Sequence, residues 1–173
     1  MCKSLIAVAV ASVLGVPAVQ AATATGTLTV KATVTASCTI NTSATGTTTD
    51  AVLDFGTVSS FAANTDANTS TAGGSQVGVL CNNGTSWALA LDGGQNSRGS
   101  SQRQMSGGTS ELIPYDLYTD SGYTNAIGIS TTALSGTGTG SEQKYDIYGR
   151  IPAGSTLPSV GSYIDTVTMT ITY

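Results

Sequence analysis

The chain has 173 residues, of which 40% are hydrophobic and only 9% are charged. Six basic residues against ten acidic ones, with no basic cluster, argue against nucleic acid as a partner. The chain contains no histidine, which removes Ser-His-Asp and Cys-His catalysis and most zinc sites. The apolar content argues against disorder, and 21 glycines among many threonines and valines favour an all-β domain rich in turns.

Residues 1–21 have the features of a cleavable secretory signal. Lys3 supplies a positive charge, residues 5–16 are apolar, and residues 19–21 read Val-Gln-Ala, a small-x-small cleavage site. The apolar run is too short to span a membrane. We expect the signal to be removed together with Cys2, so that the mature chain begins after residue 21.

The next segment, residues 25–40, reads TGTLTVKATVTASCTI and alternates between two faces. Its odd positions are polar, and its even positions are small or apolar: Gly26, Leu28, Val30, Ala32, Val34, Ala36, Cys38 and Ile40. This alternation predicts one β-strand with a single buried face. A strand of about 16 residues extends roughly 50 Å, whereas a domain of this size is only about 30–35 Å across. We therefore expect the first half of the strand to join a sheet elsewhere, and our hypothesis is that the sheet belongs to another copy.

Two cysteines, Cys38 and Cys81, remain after the signal is removed, in an exported and therefore oxidising context. Residues 75–81 alternate as a strand that places Val77, Val79 and Cys81 on one face, so both cysteines are expected to point inward. Two cysteines allow one pairing, which would stabilise the fold by about 4 kcal/mol in the chain-entropy model. The alternative is two separate buried thiols.

Short strands separated by turn signals are predicted along the rest of the chain. Besides 75–81, they lie at 51–56, 87–91, 111–118, 144–151 and 163–173. The last of these places Val167, Met169, Ile171 and Tyr173 on one face. Pro114 suggests an edge strand or a bulge. Because no stretch has a sustained period of 3.6, we expect no substantial helix, and the pattern favours one β-sandwich.

Two possible catalytic or ligand-binding motifs have simpler explanations. Asp116 and Asp120 could act as a carboxylate pair, but carboxylates at turns more often form the turn. Residues 136–140 read GTGTG without the lysine and the helix of a phosphate-binding loop, so they predict a flexible hairpin loop. We expect no catalytic residues, no metal site and no cofactor.

The aromatic residues fall into two groups. Trp87 alternates with Leu89 and Leu91, which predicts that it packs in the core. Exposed aromatic side chains that could stack on a sugar are a separate possibility, for which the candidates are Tyr118, Tyr123 and Tyr148.

The chain as a whole resembles the spore coat protein U domain family, which includes the shaft subunits of archaic chaperone–usher pili. The segments that carry the resemblance run from the arm at 25–40 through LDFG at 53–56, VGVLCNNGTSWALALDGG at 77–94, Arg103 with Met105, YDLYTD at 115–120, YDIYGRIPAG at 145–154 and GSYIDTVTMTITY at 161–173. Their order and spacing, rather than any one segment, make the resemblance specific.

The resemblance implies an immunoglobulin-like β-sandwich that lacks its final strand, with a donor-strand arm at 22–36 and an incomplete pilin domain at 37–173. In such pilins a periplasmic chaperone fills the gap first, and the arm of the next subunit then replaces it at the outer-membrane usher. The donor residues would be Gly26, Leu28, Val30, Ala32 and Val34. One edge of the acceptor groove would be Val167, Met169, Ile171 and Tyr173. The small Ala32 suggests one shallow pocket, and Cys38 and Cys81 match the family's disulfide positions.

The function implied is that of a non-enzymatic structural subunit of a cell-surface pilus, exported through the periplasm and serving adhesion and biofilm formation. Its partners would be identical or related subunits in a linear polymer, a periplasmic chaperone and an outer-membrane usher. One alternative is a spore or cell coat protein assembled by the same route. Another is a secreted monomeric carbohydrate-binding module, in which residues 22–35 would pair within their own sheet.

Overall fold

The computed structural model describes residues 22–41, 46, 48–71, 74–99, 101–107 and 110–173. The predicted signal at 1–21 lies outside the described residues. The chain divides into two units between Thr33 and Val34.

The described residues form eleven strands and no helix. In chain order they are β1 (Cys38–Ile40), β2 (Thr65–Asn68), β3 (Val77–Cys81), β4 (Ser86–Leu91), β5 (Arg103–Gly107), β6 (Leu112–Tyr118), β7 (Thr132–Thr137), β8 (Gln143–Tyr145), β9 (Tyr148–Ile151), β10 (Tyr163–Ile164) and β11 (Met169–Thr172). The strands pair in the orders β1-β3-β8, β10-β5-β6-β9-β2 and β11-β4-β7, and every pair is antiparallel. The predicted all-β sandwich is confirmed.

The long strand predicted at 25–40 is a strand only at its end. Residues 22–37 belong to no strand of this chain and are exposed. A ladder needs a neighbour to accept its backbone hydrogen bonds. Within the stretch 25–40, only β1 has such a neighbour. It pairs with β3, so that Cys38 lies opposite Cys81 and Ile40 lies opposite Val79.

The period-two patterns place the core correctly. Trp87, Leu89 and Leu91 of β4 are all buried, as the alternation predicts. The inward residues of β6 are likewise buried, namely Ile113, Tyr115 and Leu117. Together with Val77, Val79 and Ile151 they form a single hydrophobic cluster.

Four further predictions about strands need correction. The strand expected at 163–173 is two strands, because β10 pairs with β5 whereas β11 pairs with β4. The strand expected at 51–56 has only an isolated bridge, between Val52 and Ser75. The strand expected at 144–151 is two strands, because β8 pairs with β3 whereas β9 pairs with β2 and β6. Pro114 lies neither in an edge strand nor in a bulge, since β6 has β5 on one side and β9 on the other. The proline is nevertheless tolerated because β9 pairs only with residues 116–118, which leaves β5 as the sole neighbour at Pro114.

A disulfide joins Cys38 to Cys81, with their Cα atoms 4.1 Å apart. The two residues are direct cross-strand partners in the β1–β3 ladder. The predicted pairing is therefore confirmed, and the alternative of two separate thiols is wrong. The bond fixes the residue at which the exposed segment 22–37 enters the sheet.

Arg103 is the one strongly charged side chain in the core of the described domain, with 3% of its surface exposed. Its guanidinium donates hydrogen bonds to four backbone oxygens, those of Leu91, Asp92, Ile127 and Gly128, at 2.8–3.2 Å. Burial lowers its pKa, while nearby Tyr115 and Asp92 oppose that shift. Arg103 therefore ties the end of β4 to the loop before β7.

Candidate functional site: an open groove between two backbone edges

A groove of about 510 Å³ opens into the hydrophobic core of the domain. Its floor consists of core side chains from β4, β5, β6 and the segment between β8 and β9, namely Leu91, Met105, Tyr115, Leu117 and Ile147. Two stretches of chain flank this floor. We call residues 50–55 the N-terminal wall and residues 163–169 the C-terminal wall.

The N-terminal wall has an inward and an outward face. Ala51, Leu53 and Phe55 are half-buried and pack against the core, whereas the residues between them are exposed. The amide and carbonyl of Val52 both bond to Ser75, at 2.9 and 2.8 Å. Because alternate residues of an extended chain direct their backbone groups to opposite sides, those of Ala51 and Leu53 point away from Ser75. The side turned away from Ser75 is therefore an unpaired backbone edge.

The C-terminal wall has the same property. Asp92 N–H donates to the Thr168 carbonyl at 2.9 Å, and Thr168 N–H donates to the Asp92 carboxylate at 2.8 Å. The backbone groups of Val167 and Met169 therefore point away from β4. Among the described strands, β11 has β4 as its only neighbour. The groove thus lacks the strand that would satisfy both of its edges.

The carboxylate of Asp165, which lines the groove beside Tyr115, is fully hydrogen-bonded within the chain. Asp165 accepts hydrogen bonds from the Tyr115 hydroxyl at 2.7 Å, Gln95 N–H at 2.9 Å and the Asn96 side chain at 3.2 Å. Burial, and then the hydrogen bond to Asp165, raise the pKa of Tyr115 far above its usual range. This pair holds the lining in place and offers no free acid or base.

The residues predicted to be donors are exposed along the arm. The exposed fractions are 88% for Leu28, 83% for Val30 and 80% for Val34. Gly26 and Ala32 are exposed as well. No residue of this set belongs to a strand of its own chain.

The residues predicted for the groove edge divide into two pairs. Val167 and Met169 line the groove. Ile171 packs against the core without lining the groove, and Tyr173 is 58% exposed. The N-terminal wall and Tyr163 also line the groove, and the sequence did not predict either of them as part of the site. The alternation at 51–55 was visible, but nothing in it distinguishes a groove wall from an ordinary strand.

The candidate carboxylate pair is structural. Asp120 accepts hydrogen bonds from Asn125 N–H at 2.7 Å and from both the amide and the hydroxyl of Thr124, which lower its pKa. Asp116 accepts one from the Gln102 side chain at 3.3 Å. Asp120 therefore closes a turn.

The three tyrosines considered for stacking form one cluster. Tyr123 lies 5.5 Å from Tyr118 and 6.1 Å from Tyr148 between ring centroids, with edge-to-face geometry. The Arg150 guanidinium lies 4.0 Å over the Tyr123 ring and makes a two-pronged ion pair with Asp66. The cluster packs the loop after β6 onto the sheet.

Within the described ranges, no group of three or more His, Cys, Asp or Glu residues is placed to hold a metal ion. The same part of the chain contains no helix of the length and apolarity needed to cross a membrane.

Comparisons with known proteins agree with this architecture. The family model of the Spore Coat Protein U domain matches residues 24–170. A chain of the crystal structure of the CsuC–CsuE chaperone–tip adhesion subunit pre-assembly complex, from the archaic chaperone–usher Csu pili of Acinetobacter baumannii, is similar with a TM-score of 0.51 and 21% identity. That match covers 82% of the present chain but only 40% of the Csu chain. No curated protein matches the sequence.

Proposed function

The chain belongs to the Spore Coat Protein U domain family, and we propose that it is a structural subunit of a cell-surface pilus of the archaic chaperone–usher type. In this proposal the subunits polymerise by donor-strand exchange, in which the arm at 22–36 of one copy fills the groove of the next. The chain has no enzymatic role.

The observation that carries the proposal is that an unpaired apolar segment and an unfilled groove occur in one chain. The donor stretch from Leu28 to Val34 has the same number of residues as the C-terminal wall, and each extends about 20 Å as a strand. An added strand would satisfy the backbone edges at Ala51, Leu53, Val167 and Met169 by β-augmentation. Both halves of the interface are thus available on every copy.

Burial of apolar surface supplies the driving force. Leu28, Val30 and Val34 are at least 80% exposed, and each would contribute roughly 1.5–3 kcal/mol on burial. Ala32 would contribute less, and ordering the arm opposes the gain. Because donor and acceptor are different surfaces, the contact is heterologous and propagates into a linear filament.

The remaining parts of the proposal follow from the family. An open apolar groove with bare strand edges is an aggregation hazard, which a periplasmic chaperone would cover until the usher exchanges it for an arm. The polymer would stand on the cell surface and serve adhesion and biofilm formation. A coat protein assembled by the same route would use the same groove. A monomeric carbohydrate-binding module has no support, because residues 22–37 join no strand of their own chain.

The test is to place charges on the apolar face of the arm. We expect the double variant Val30→Asp with Val34→Asp to abolish the ladder of SDS-resistant polymers that unheated cell-surface material should give, while the subunit remains in its chaperone complex. The matched control is Thr25→Asp with Thr35→Asp, which adds the same two charges to the polar face of the arm on either side of the donor stretch and should leave the ladder intact. Normal polymers from the Val30/Val34 variant would overturn the proposal.

A further inference from the structure

The arm carries one charge in an otherwise uncharged stretch. Lys31 is the only charged residue between 22 and 49, and the chain beyond residue 21 contains only one other lysine, Lys144. Lys31 lies at the centre of the donor stretch 28–34, on the polar face of its alternation. In an occupied groove this face would point outward, so burial of the apolar face does not require a lysine here.

The two walls of the groove differ in charge along their outward faces. On the C-terminal wall the exposed residues are Ile164, Thr166 and Thr168, none of which is charged. On the N-terminal wall the exposed residues are Asp50, Val52 and Asp54. The outward face of one wall is therefore acidic, and that of the other is neutral.

Both carboxylates of the N-terminal wall have capacity for a cation. Asp50 makes no hydrogen bond or ion pair with any described residue. Asp54 accepts one hydrogen bond, from Gly56 N–H at 2.8 Å, through one of its two oxygens. By contrast, the three partners of Asp165 already satisfy that carboxylate.

When the middle residue of the donor stretch, Lys31, is aligned with Val52 of the N-terminal wall, it lies between the two carboxylates. In that register Lys31 lies opposite Val52, with Asp50 and Asp54 as its diagonal neighbours. Such neighbours are about 7–8 Å apart, within reach of a long side chain. The result is the same for a parallel or an antiparallel donor, because Asp50 and Asp54 are symmetric about Val52.

Apolar burial alone distinguishes registers poorly. A slip of two residues keeps the same face of the arm inward, and three of its four apolar donor side chains are the small aliphatic ones of Val30, Ala32 and Val34. A slip of two places Lys31 opposite one carboxylate but four residues from the other, and a slip of four leaves only one carboxylate as a diagonal neighbour. Only the centred register keeps both carboxylates beside Lys31, and this adds to the weaker preference that the sizes of Leu28 and Ala32 supply.

We propose that Lys31 of an incoming arm pairs with Asp50 and Asp54 of the acceptor copy, and that this pairing sets the register of strand exchange. The inference rests on the proposed function. Lys31 is a positioning residue in this role. The competing explanation is that Lys31 only protects the free arm from edge-to-edge aggregation, as lysines on exposed strands do.

Zero-length carbodiimide coupling of wild-type fibres tests the contact directly. The reagent joins an amine to a carboxylate only when the two are in contact, and Lys144 is the only other lysine side chain in the mature chain. We expect the polymer ladder to survive boiling after coupling, with peptides in which Lys31 is joined to Asp50 or Asp54. The matched control is Lys31→Arg, which keeps the charge but removes the amine. It should assemble normally and give no such link.

Charge reversal provides a second measurement. Lys31→Glu should slow assembly at low salt by about fivefold, and the difference should shrink at high salt. Adding Asp50→Lys with Asp54→Lys to that variant should restore the rate. Three results would overturn the pairing: a wild-type ladder that still collapses on boiling after carbodiimide treatment, a link from Lys31 to other carboxylates, or assembly of Lys31→Glu at the wild-type rate. Absence of any SDS-resistant wild-type ladder before coupling would instead overturn the proposed function.

Discussion

Replacing Arg103 with methionine should lower the free energy of unfolding more than replacing any charged residue on the surface would. The substitution removes every donor of the guanidinium and leaves four backbone oxygens without it. The bonds to Ile127 and Leu91 are buried, and each orphaned buried carbonyl costs about 1–3 kcal/mol. No longer burying a charge offsets part of this loss, so we expect a net loss of about 3 kcal/mol in the free energy of unfolding.

Urea unfolding measures this loss, and the protein contains its own reporter. Trp87 is the only tryptophan and is 3% exposed, so its fluorescence follows loss of the core. With a slope of about 2 kcal/mol/M, Arg103→Met should lower the midpoint by about 1.5 M. All chains are compared in the same state of assembly.

The matched control for Arg103→Met is Arg150→Met. Arg150 pairs with Asp66 and lies over the Tyr123 ring at the surface of the domain, where solvent screens the charge and such contacts contribute little to stability. The urea midpoint of Arg150→Met should therefore fall by clearly less than the shift of about 1.5 M expected for Arg103→Met. If Arg103→Met shifted the midpoint no more than Arg150→Met does, the assignment of Arg103 as the tie between β4 and the loop before β7 would be refuted.

Two further predictions concern the disulfide and acid. Cys38→Ser with Cys81→Ser opens a bridge between residues 43 apart in sequence, which should cost about 4 kcal/mol, measured by the same unfolding transition; an unchanged midpoint would contradict this. Stability should also fall as the pH drops below about 4. Hydrogen bonds from Ser70, Gln76 and Thr69 lower the pKa of Asp146 in the folded chain. The unfolded chain therefore binds a proton at a higher pH than the folded chain does, and acid favours unfolding. Asp146→Asn should be less stable at neutral pH and flatten this acid limb, and an acid limb of unchanged slope would exclude Asp146 as its cause.

Sequence periodicity predicted the faces of strands well, but not their neighbours. The burial of Trp87 on β4 and of Tyr115 on β6 follows from alternation, because one face of a strand must meet the core. Pairing depends on residues far apart in the chain. The split between β8 and β9, and the isolated bridge at Val52, arise from such partners and have no local signal.

The candidate site was also predicted only in part, because only some of its residues have a signal in the local sequence. The arm was predicted because the alternating stretch is longer than the diameter of a domain of this size. Val167 and Met169 were predicted as groove residues because they share one face of the alternating C-terminal segment. Arg103 was missed as a structural residue. It lies in a polar stretch, and its oxygen partners come from the end of β4 and the loop before β7. No pattern within a short window of sequence announces a side chain that binds distant carbonyls.

The position of the disulfide has a mechanical consequence if the copies are joined arm to groove. A pull along such a filament would enter each domain through the arm, and the first residue of the first strand is Cys38. Its covalent bond to Cys81 carries the load directly into β3, whose neighbours are β1 and β8. Tension would therefore have to break a covalent bond before it could peel β1 away, and a filament under reducing conditions should yield at a lower force.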